Sequence, residues 1–309
     1  MKYLVTGGAG FIGSNIVKEL LRRKEQVRVL DNFATGKRQN LFEFKNNPNF
    51  ELIEGDLRSF HIVRNAVKGM DFILHQGALP SVPRSINDPI TTNDVNILGT
   101  LNILEAAKEF GVKRVVYASS SSVYGNSATL PKVEDMPLQP LSPYALSKYT
   151  GERYCQIYYK IYGLETVVLR YFNVFGPNQD PTSEYSAVIP KFIKLMKENK
   201  QPIIYGDGTQ SRDFTYVANV AEANLLACNA DNAVGEVFNI ACGKRYTVLQ
   251  LVETINKILG KNIEPVFEKE RIGDVKHSLA GIKKAKRILG FSVNCRFEEG
   301  LEKLIESLL

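Results

Sequence analysis

The sequence is poor in the residues that hold metals. It has only 4 Cys and 3 His among 309 residues, and Cys155, Cys228, Cys242 and Cys295 lie too far apart to form a CxxC pair. A zinc ribbon and a dithiol redox centre are therefore excluded, and reduced, mostly buried thiols are the expected state. No apolar run approaches the ~20 residues that a membrane span needs. Tyr3-Leu4-Val5 is cut off by Thr6-Gly7-Gly8 before it could serve as a signal sequence. A cytoplasmic location without a membrane partner is the expectation. Internal repeats, low-complexity tracts and Gly/Pro-rich linkers are missing too. The net charge is +6, yet Lys and Arg are dispersed among Asp and Glu, with short pairs such as Lys37-Arg38 and Lys283-Lys284. That pattern argues against nucleic acid as a partner and suits a few cations facing phosphates.

What the chain has is a glycine-punctuated start. Lys2 to Thr6 reads as a buried strand. Gly7-Gly8-Ala9-Gly10-Phe11-Ile12-Gly13 then turns directly into a helix with an apolar stripe at Ile16, Val17, Leu20 and Leu21. Glycines at 7, 10 and 13 allow a tight turn, close approach of backbone to a pyrophosphate, and packing of helix on sheet, with helix N–H groups aimed at the phosphates. The spacing is GxxGxxG rather than GxGxxG, so the glycines need support from the order of the succeeding elements. The next strand, Gln26 to Leu30, ends at Asp31. A carboxylate there accepts from both adenosine ribose hydroxyls and repels a 2′-phosphate, which favours NAD over NADP. Phe11, Ile12 and Asn32 flank these positions as further cofactor candidates. A third strand, Phe50 to Glu54, brings Asp56 and Leu57 to where an adenine edge would lie, and a fourth, Phe72 to His75, leads to Gln76 and Ala78. Asn93, another cofactor candidate, opens a helix expected to reach Phe110. His75 reads as a strand-end hydrogen-bonding residue rather than a catalyst.

The fifth strand, from Arg114, ends in the hydroxyl cluster Ser119-Ser120-Ser121-Ser122, just past the carboxyl end of a strand, where open α/β sheets bind ligands. Tyr144 and Lys148 follow on a helix expected over Leu141 to Tyr162, one turn apart on one face. A cation beside a phenol favours the phenolate and can bring its pKa down from ~10, as a general base requires. Spacing alone says nothing, because chance supplies roughly two such pairs and Tyr149/Arg153 is the second. Position after a serine-ended strand, in a chain that opens with a nucleotide loop, singles out the first. A sixth strand, Glu165 to Arg170, runs into Tyr171-Phe172-Asn173. Such alternation specifies an α/β fold, a doubly wound Rossmann parallel sheet. After Asn173 the rhythm breaks into a helix over Ala187 to Lys197, a short strand running into a turn over Ile203 to Gly208, a strand at Phe214 to Val217, and amphipathic helices over Thr247 to Leu259 and Phe297 to Leu308. Residues 1–173, with a return segment near 214–241, are expected to bind the dinucleotide, and 174–213 with 242–309 to form a smaller mixed α/β substrate-binding cap.

The glycine loop, the serine cluster with Val123-Tyr124-Gly125, Pro143-Tyr144 with Lys148, and Arg170-Tyr171-Phe172-Asn173-Val174-Phe175-Gly176 together resemble the extended short-chain dehydrogenase/reductases that act on nucleotide sugars. Within them the chain is most similar to UDP-hexose 4-epimerases. The likeness continues through Gly206-Asp207-Gly208, Ser211-Arg212-Asp213 and Arg271-Ile272-Gly273-Asp274. It implies tightly held NAD that is regenerated each turnover, a 4-keto sugar intermediate and a homodimer paired through the helices at 93–110 and 141–162. Tyr144 would be the base, Lys148 would hold the nicotinamide ribose and tune Tyr144, and Ser120 with Ser121 would bond the sugar O4. Tyr171 joins the cofactor set. Asn173 would anchor the sugar diphosphate, Arg212 and Arg271 would clamp the pyrophosphate, and Asp274 would accept from the uridine ribose. Ser81, Ser122, Gln179, Val188 and Tyr205 complete the implied substrate residues, with Ser278 as the wall position whose small side chain leaves room for an acetamido group. Ser121 and Ser122 stand where the related 4,6-dehydratases carry Asp-Glu, so elimination of a C6 hydroxyl lacks its acid and base. A UDP-glucuronate 4-epimerase is the alternative enzyme. A module that only sensed NAD would need neither Tyr144 nor Lys148.

Overall fold

A computed structural model describes residues 1–180, 188–270 and 276–308 of the chain. Its centre is a sheet of seven parallel strands: β1 (Lys2–Thr6), β2 (Gln26–Asp31), β3 (Phe50–Glu54), β4 (Phe72–His75), β5 (Arg114–Ser120), β6 (Glu165–Tyr171) and β11 (Val237–Ile240), in the order β3-β2-β1-β4-β5-β6-β11. Order reverses between β1 and β4, and open sheets bind ligands outside the carboxyl ends at such a switch. The register aligns Thr6 with both Leu30 and His75, and His75 with Tyr117. Ala118, Ser119 and Ser120 therefore project beyond that row, held only by β6 through Leu169, Arg170 and Tyr171.

Helices cover both faces. α1 (Phe11–Arg22) lies on one face and α2 (Phe60–Val67) on the other. Strand residues alternate between the two layers, Tyr3 and Val5 packing with Ile16 and Leu20, and Leu4 with Val63 and Ile103. Beyond β4 come α3 (Val82–Asn87), α4 (Pro89–Asn93) and α5 (Gly99–Glu109), the last two joined by a π-helical turn at Asp94–Leu98. The helix expected from Asn93 thus begins earlier, where the Asp88 side chain accepts from Thr91 N and Pro89 occupies the first turn. α6 (Pro143–Tyr162) is capped by the Ser142 hydroxyl, which accepts from Ala145 N, and stopped by left-handed Gly163.

The remaining elements are β7 (Val174–Phe175), α7 (Val188–Lys197), β8 (Ile203–Tyr205), β9 (Ser211–Arg212), β10 (Thr215–Tyr216), α8 (Val217–Asn229), β12 (Tyr246–Thr247), α9 (Val248–Leu259), β13 (Val266–Glu268), α10 (Lys283–Leu289) and α11 (Phe297–Glu306). The strand expected to reach Val217 stops at Tyr216, and α8 begins there instead. Its sequence, VANVAEANLLACN, is buried on nearly every side, so it carries no apolar stripe to betray it. α7, α9 and α11 enclose a separate apolar cluster, in which Tyr246 stacks on Phe297 with ring centroids 4.2 Å apart. All four cysteines are free.

Candidate active site

A cavity of about 1080 Å³ opens along the carboxyl ends of β1, β2, β4 and β5, large enough for an extended dinucleotide. Gly7 (φ +66°) takes a left-handed turn that brings its backbone against Gly77, where an added Cβ would lie 2.7 Å from Gly77 Cα. A Cβ on Gly13 would lie 2.2 Å from the Gly7 carbonyl oxygen. α1 starts at Gly10 without a side-chain cap or an acidic residue in its first turn, so its N–H groups and dipole face the cavity unopposed. Asp31 closes the far end of this loop. Its carboxylate accepts from Ala9 N (2.9 Å) and Phe33 N (2.8 Å), while burial raises its pKa against those bonds. Asn32 donates to Asp56 (2.9 Å). The Arg58 guanidinium, bonded to Asp56, holds that carboxyl down at about 2 despite its partial burial. A cradle too tight for side chains, unopposed helix N–H groups and an acid at the ribose position fit NAD.

Of the residues singled out in the sequence, Gly7, Gly10, Phe11, Ile12, Gly13, Asp31, Asn32, Asp56, Leu57, Gln76, Ala78, Tyr144, Lys148, Tyr171, Ser81 and Gln179 all line this cavity. Asn93 does not. It is exposed on the solvent side of α4, while Thr92 and Val95 face the cavity. Asn96, buried, is the asparagine that braces the wall: it accepts from Leu79 N (2.7 Å) and donates to Leu79 O and Ser147. The π turn rotates the helix between these positions, which a regular period could not foretell. His75 is buried between Thr6 (2.6 Å) and Thr100 (3.1 Å), and burial first, then Lys148, depresses it to about 3. It is neutral and structural.

Tyr144 and Lys148 stand on one wall with Ala118 and Ser119. Lys148 is buried, and its ammonium donates to Ala118 O (2.8 Å) and lies 5.2 Å from the centre of the Tyr117 ring. Burial lowers its pKa to about 8, with Cys155 and Glu152 acting the other way. The i, i+4 spacing leads one to expect that this cation brings the Tyr144 phenol down. Instead burial raises Tyr144, and the opposing pull is a hydrogen bond from Ser120. Spacing places the two residues on one face but cannot say where a long ammonium turns. Ser119, to which the sequence assigns no role of its own, lines the cavity, whereas Ser120 at the end of β5 and Ser121 and Ser122 in the 3-10 turn Ser121–Tyr124 are outside its lining. The Ser122 hydroxyl is buried without a partner among the described residues.

Beyond the cavity, Asn173 (φ +36°) donates to Asp213 O (3.2 Å) and to the Ser278 hydroxyl (3.4 Å). Ser278 N in turn donates to Ser211 O (2.9 Å), and Arg212 donates to Ser211 O and Lys276 O. Asn173, Arg212 and Ser278 are thus gathered at one place by β9. Gln179 leaves its carbonyl oxygen buried at the cavity wall, with no partner among the described residues. Val188, on α7, packs on the α7/α9/α11 cluster and so does not reach the cavity. Tyr205, at the end of β8, is likewise outside the lining. Arg271 and Asp274 lie outside the described residues. Arg84 belongs to the run Ala78 to Ser85, which resembles epimerases favouring UDP-N-acetylglucosamine, but the sequence assigns it no role: it lines the cavity, and its guanidinium makes no hydrogen bond or ion pair to another described residue.

Residues 3–241 match the NAD dependent epimerase/dehydratase family. The chain belongs to that family. Among the proteins to which this epimerase/dehydratase is similar is the UDP-N-acetylglucosamine 4-epimerase from Methanobrevibacter ruminantium M1, solved in complex with UDP-N-acetylmuramic acid. It is 41% identical with a TM-score of 0.95, the match covering 99% of this chain and 97% of that one. The UDP-glucose 4-epimerase of Mycolicibacterium smegmatis is 35% identical over 308 residues, 99% of this chain and 98% of the relative. The UDP-glucuronic acid 4-epimerase from Bacillus cereus, solved with UDP-glucuronic acid and NAD, is 34% identical with a TM-score of 0.92, over 100% of this chain and 99% of that one. NAD is the cofactor of this epimerase/dehydratase.

Proposed function

We propose that the protein inverts C4 of UDP-hexoses through a 4-keto intermediate, acting on UDP-glucose and UDP-galactose and on their N-acetylated counterparts. One observation carries the reading: Tyr144 shares a wall with buried Lys148 at the end of the cavity that begins at the glycine turn. NAD supplies, when bound, reversible hydride exchange at C4. Tyr144 takes the C4 hydroxyl proton and returns it after the sugar has turned about its diphosphate, while Ser120 holds the phenol and the sugar O4 in line. Tyr144 must start as the phenolate to accept that proton, a form that Ser120 favours against the burial of the phenol, and Lys148, on the same wall, would hold the nicotinamide ribose. Gly7, Gly10, Phe11, Ile12, Gly13, Asp31, Asp56 and Tyr171 hold the cofactor. Asn173, Arg212, Gln179 and Ser278 would bind the sugar nucleotide, and the likeness to the epimerases assigns the same part to Arg271 and Asp274, which lie outside the described residues. Ser278 supplies a small wall, and the similarity to a UDP-N-acetylglucosamine 4-epimerase supports the wider substrate range.

A UDP-glucuronate is the second reading, supported by the Arg84 guanidinium, which no described residue engages and which suits a carboxylate. Incubating the protein separately with UDP-galactose, UDP-N-acetylgalactosamine and UDP-glucuronate, without added NAD, and identifying the products tests both. Conversion of the first two supports the proposal, conversion of the uronate alone favours the alternative, and no conversion by protein that carries NAD leaves a binding module. We also propose a homodimer. Leu146, Ile157 and Ile161 are 51%, 44% and 68% exposed along one side of α6, an apolar stripe that a second copy would cover. No helix among the described residues is long and apolar enough to cross a membrane, and the cytoplasm is the proposed location.

A further inference from the structure

Three successive turns of α6 face the last three residues of β5. Tyr144 meets Ser120, Lys148 meets Ala118 O, and Glu152, one turn further on, meets Ser119. The last contact is the most enclosed. Glu152 Oε1 accepts from Ser119 Oγ (2.5 Å) and from Arg170 Nε (2.9 Å), and Oε2 accepts from Arg170 Nη2 (2.7 Å). The two charged side chains are 2% and 3% exposed. Arg170 sits on β6 directly opposite Ser119 in the sheet register. Its Nη1 donates to Tyr124 OH (2.8 Å) and Glu134 O (3.2 Å), and Tyr124 OH donates to Asn239 Oδ1 (2.7 Å) on β11.

A buried ion pair is a poor source of stability, because the cost of desolvating two charges consumes most of their attraction, and apolar replacements of like volume often serve as well. What such a pair supplies is geometry, since a planar guanidinium fork accepts a carboxylate in one orientation. Sliding or rotating α6 by one residue would break this fork and the Ser119 bond together. We propose that Glu152, clamped by Arg170, is a positioning residue: it fixes α6 against the projecting end of β5 so that Ser119, Tyr144 and Lys148 reach the cavity at once. Its charge also favours the Lys148 ammonium, against the burial that disfavours it. The inference rests on Tyr144 and Lys148 being the reacting pair.

The test compares Glu152→Gln, Glu152→Gln with Arg170→Met, Ser119→Ala and Tyr144→Phe in the NAD-loaded protein, by thermal midpoint, NAD content, and kcat and KM for UDP-galactose. Glu152→Gln alone leaves a buried guanidinium unpaired and should melt early. The double variant should recover a midpoint near wild type and keep its NAD. Positioning requires that its kcat stay at least about tenfold low with KM within about twofold of wild type. A double variant that regains both stability and kcat overturns the proposal and leaves the pair structural. If the double variant does not fold, Ser119→Ala decides: a lower kcat at unchanged KM and midpoint supports the proposal, and an unchanged kcat overturns it. Tyr144→Phe turning over at the wild-type rate would instead remove the reading of the site on which the inference stands.

Discussion

Gly13→Ala should loosen both the fold and its hold on NAD. The added Cβ would stand 2.2 Å from Gly7 O, 2.8 Å from Gly7 C and 2.8 Å from Gly8 Cα. None of these backbone atoms can retreat. Gly7 N is bonded to Leu30 O at 2.8 Å, and the Gly7 and Gly8 α-carbons lie against Gly77 and the Val29 side chain. Overpacking of this kind costs about 3 kcal/mol at the upper end of its usual range. Alanine's better helix propensity, at a position inside α1, returns about 1 kcal/mol. The net loss of about 2 kcal/mol corresponds, for a chain of this length, to a midpoint lower by roughly 3 °C. Because relief must come from moving the glycine turn off the helix, the N–H groups move with it, and NAD retained through gel filtration should fall as well. Gly10→Ala is the control, since its Cβ would meet only Gly7 O, at 3.1 Å. Thermal unfolding of both variants, with NAD measured in the folded fraction, checks the reasoning. A Gly13→Ala midpoint equal to wild type, or a larger loss for Gly10→Ala, refutes it.

Tyr144→Phe should lower kcat by about 10²–10⁴-fold while the midpoint and NAD content stay near wild type; a smaller effect in steady-state assays would assign the base elsewhere. Ser278→Tyr should abolish turnover of UDP-N-acetylglucosamine and spare UDP-glucose, and equal loss of both would remove Ser278 as the wall. His75, held to about 3 in the folded protein against an ordinary value of 6.5, makes stability depend on pH. The unfolded chain takes up its proton first, so stability is fully present above 6.5 and is lost as pH falls toward 3. Between neutrality and pH ~5 the wild type should lose roughly 2 kcal/mol more than His75→Gln; parallel urea midpoints for the two proteins would contradict this.

Much of the architecture can be read before any coordinates because it depends on local periods. Apolar strands bounded by turns, a glycine run at a strand–helix junction and an i, i+4 pair on a capped helix are short-range patterns, and the predicted bounds of β1, β3 and β4 coincide with those observed. Helix α8 escapes because burial on all sides erases the period on which its detection depends. Asn93 stands out over Asn96 in the sequence only because the π turn beside it leaves no local mark.

The sequence by itself determined the doubly wound sheet, the glycine turn with Asp31 at its end, and the placing of Tyr144 and Lys148 on one helix face, since each follows from neighbours within a strand or a helical turn. Only the tertiary structure decided which serine faces the cavity, where the Lys148 ammonium turns, in which direction the Tyr144 pKa moves, and that Glu152 and Arg170 lock β5 to α6. Those outcomes depend on side chains far apart in sequence meeting in a place without water, where burial and the last available hydrogen-bond partner outweigh any local preference.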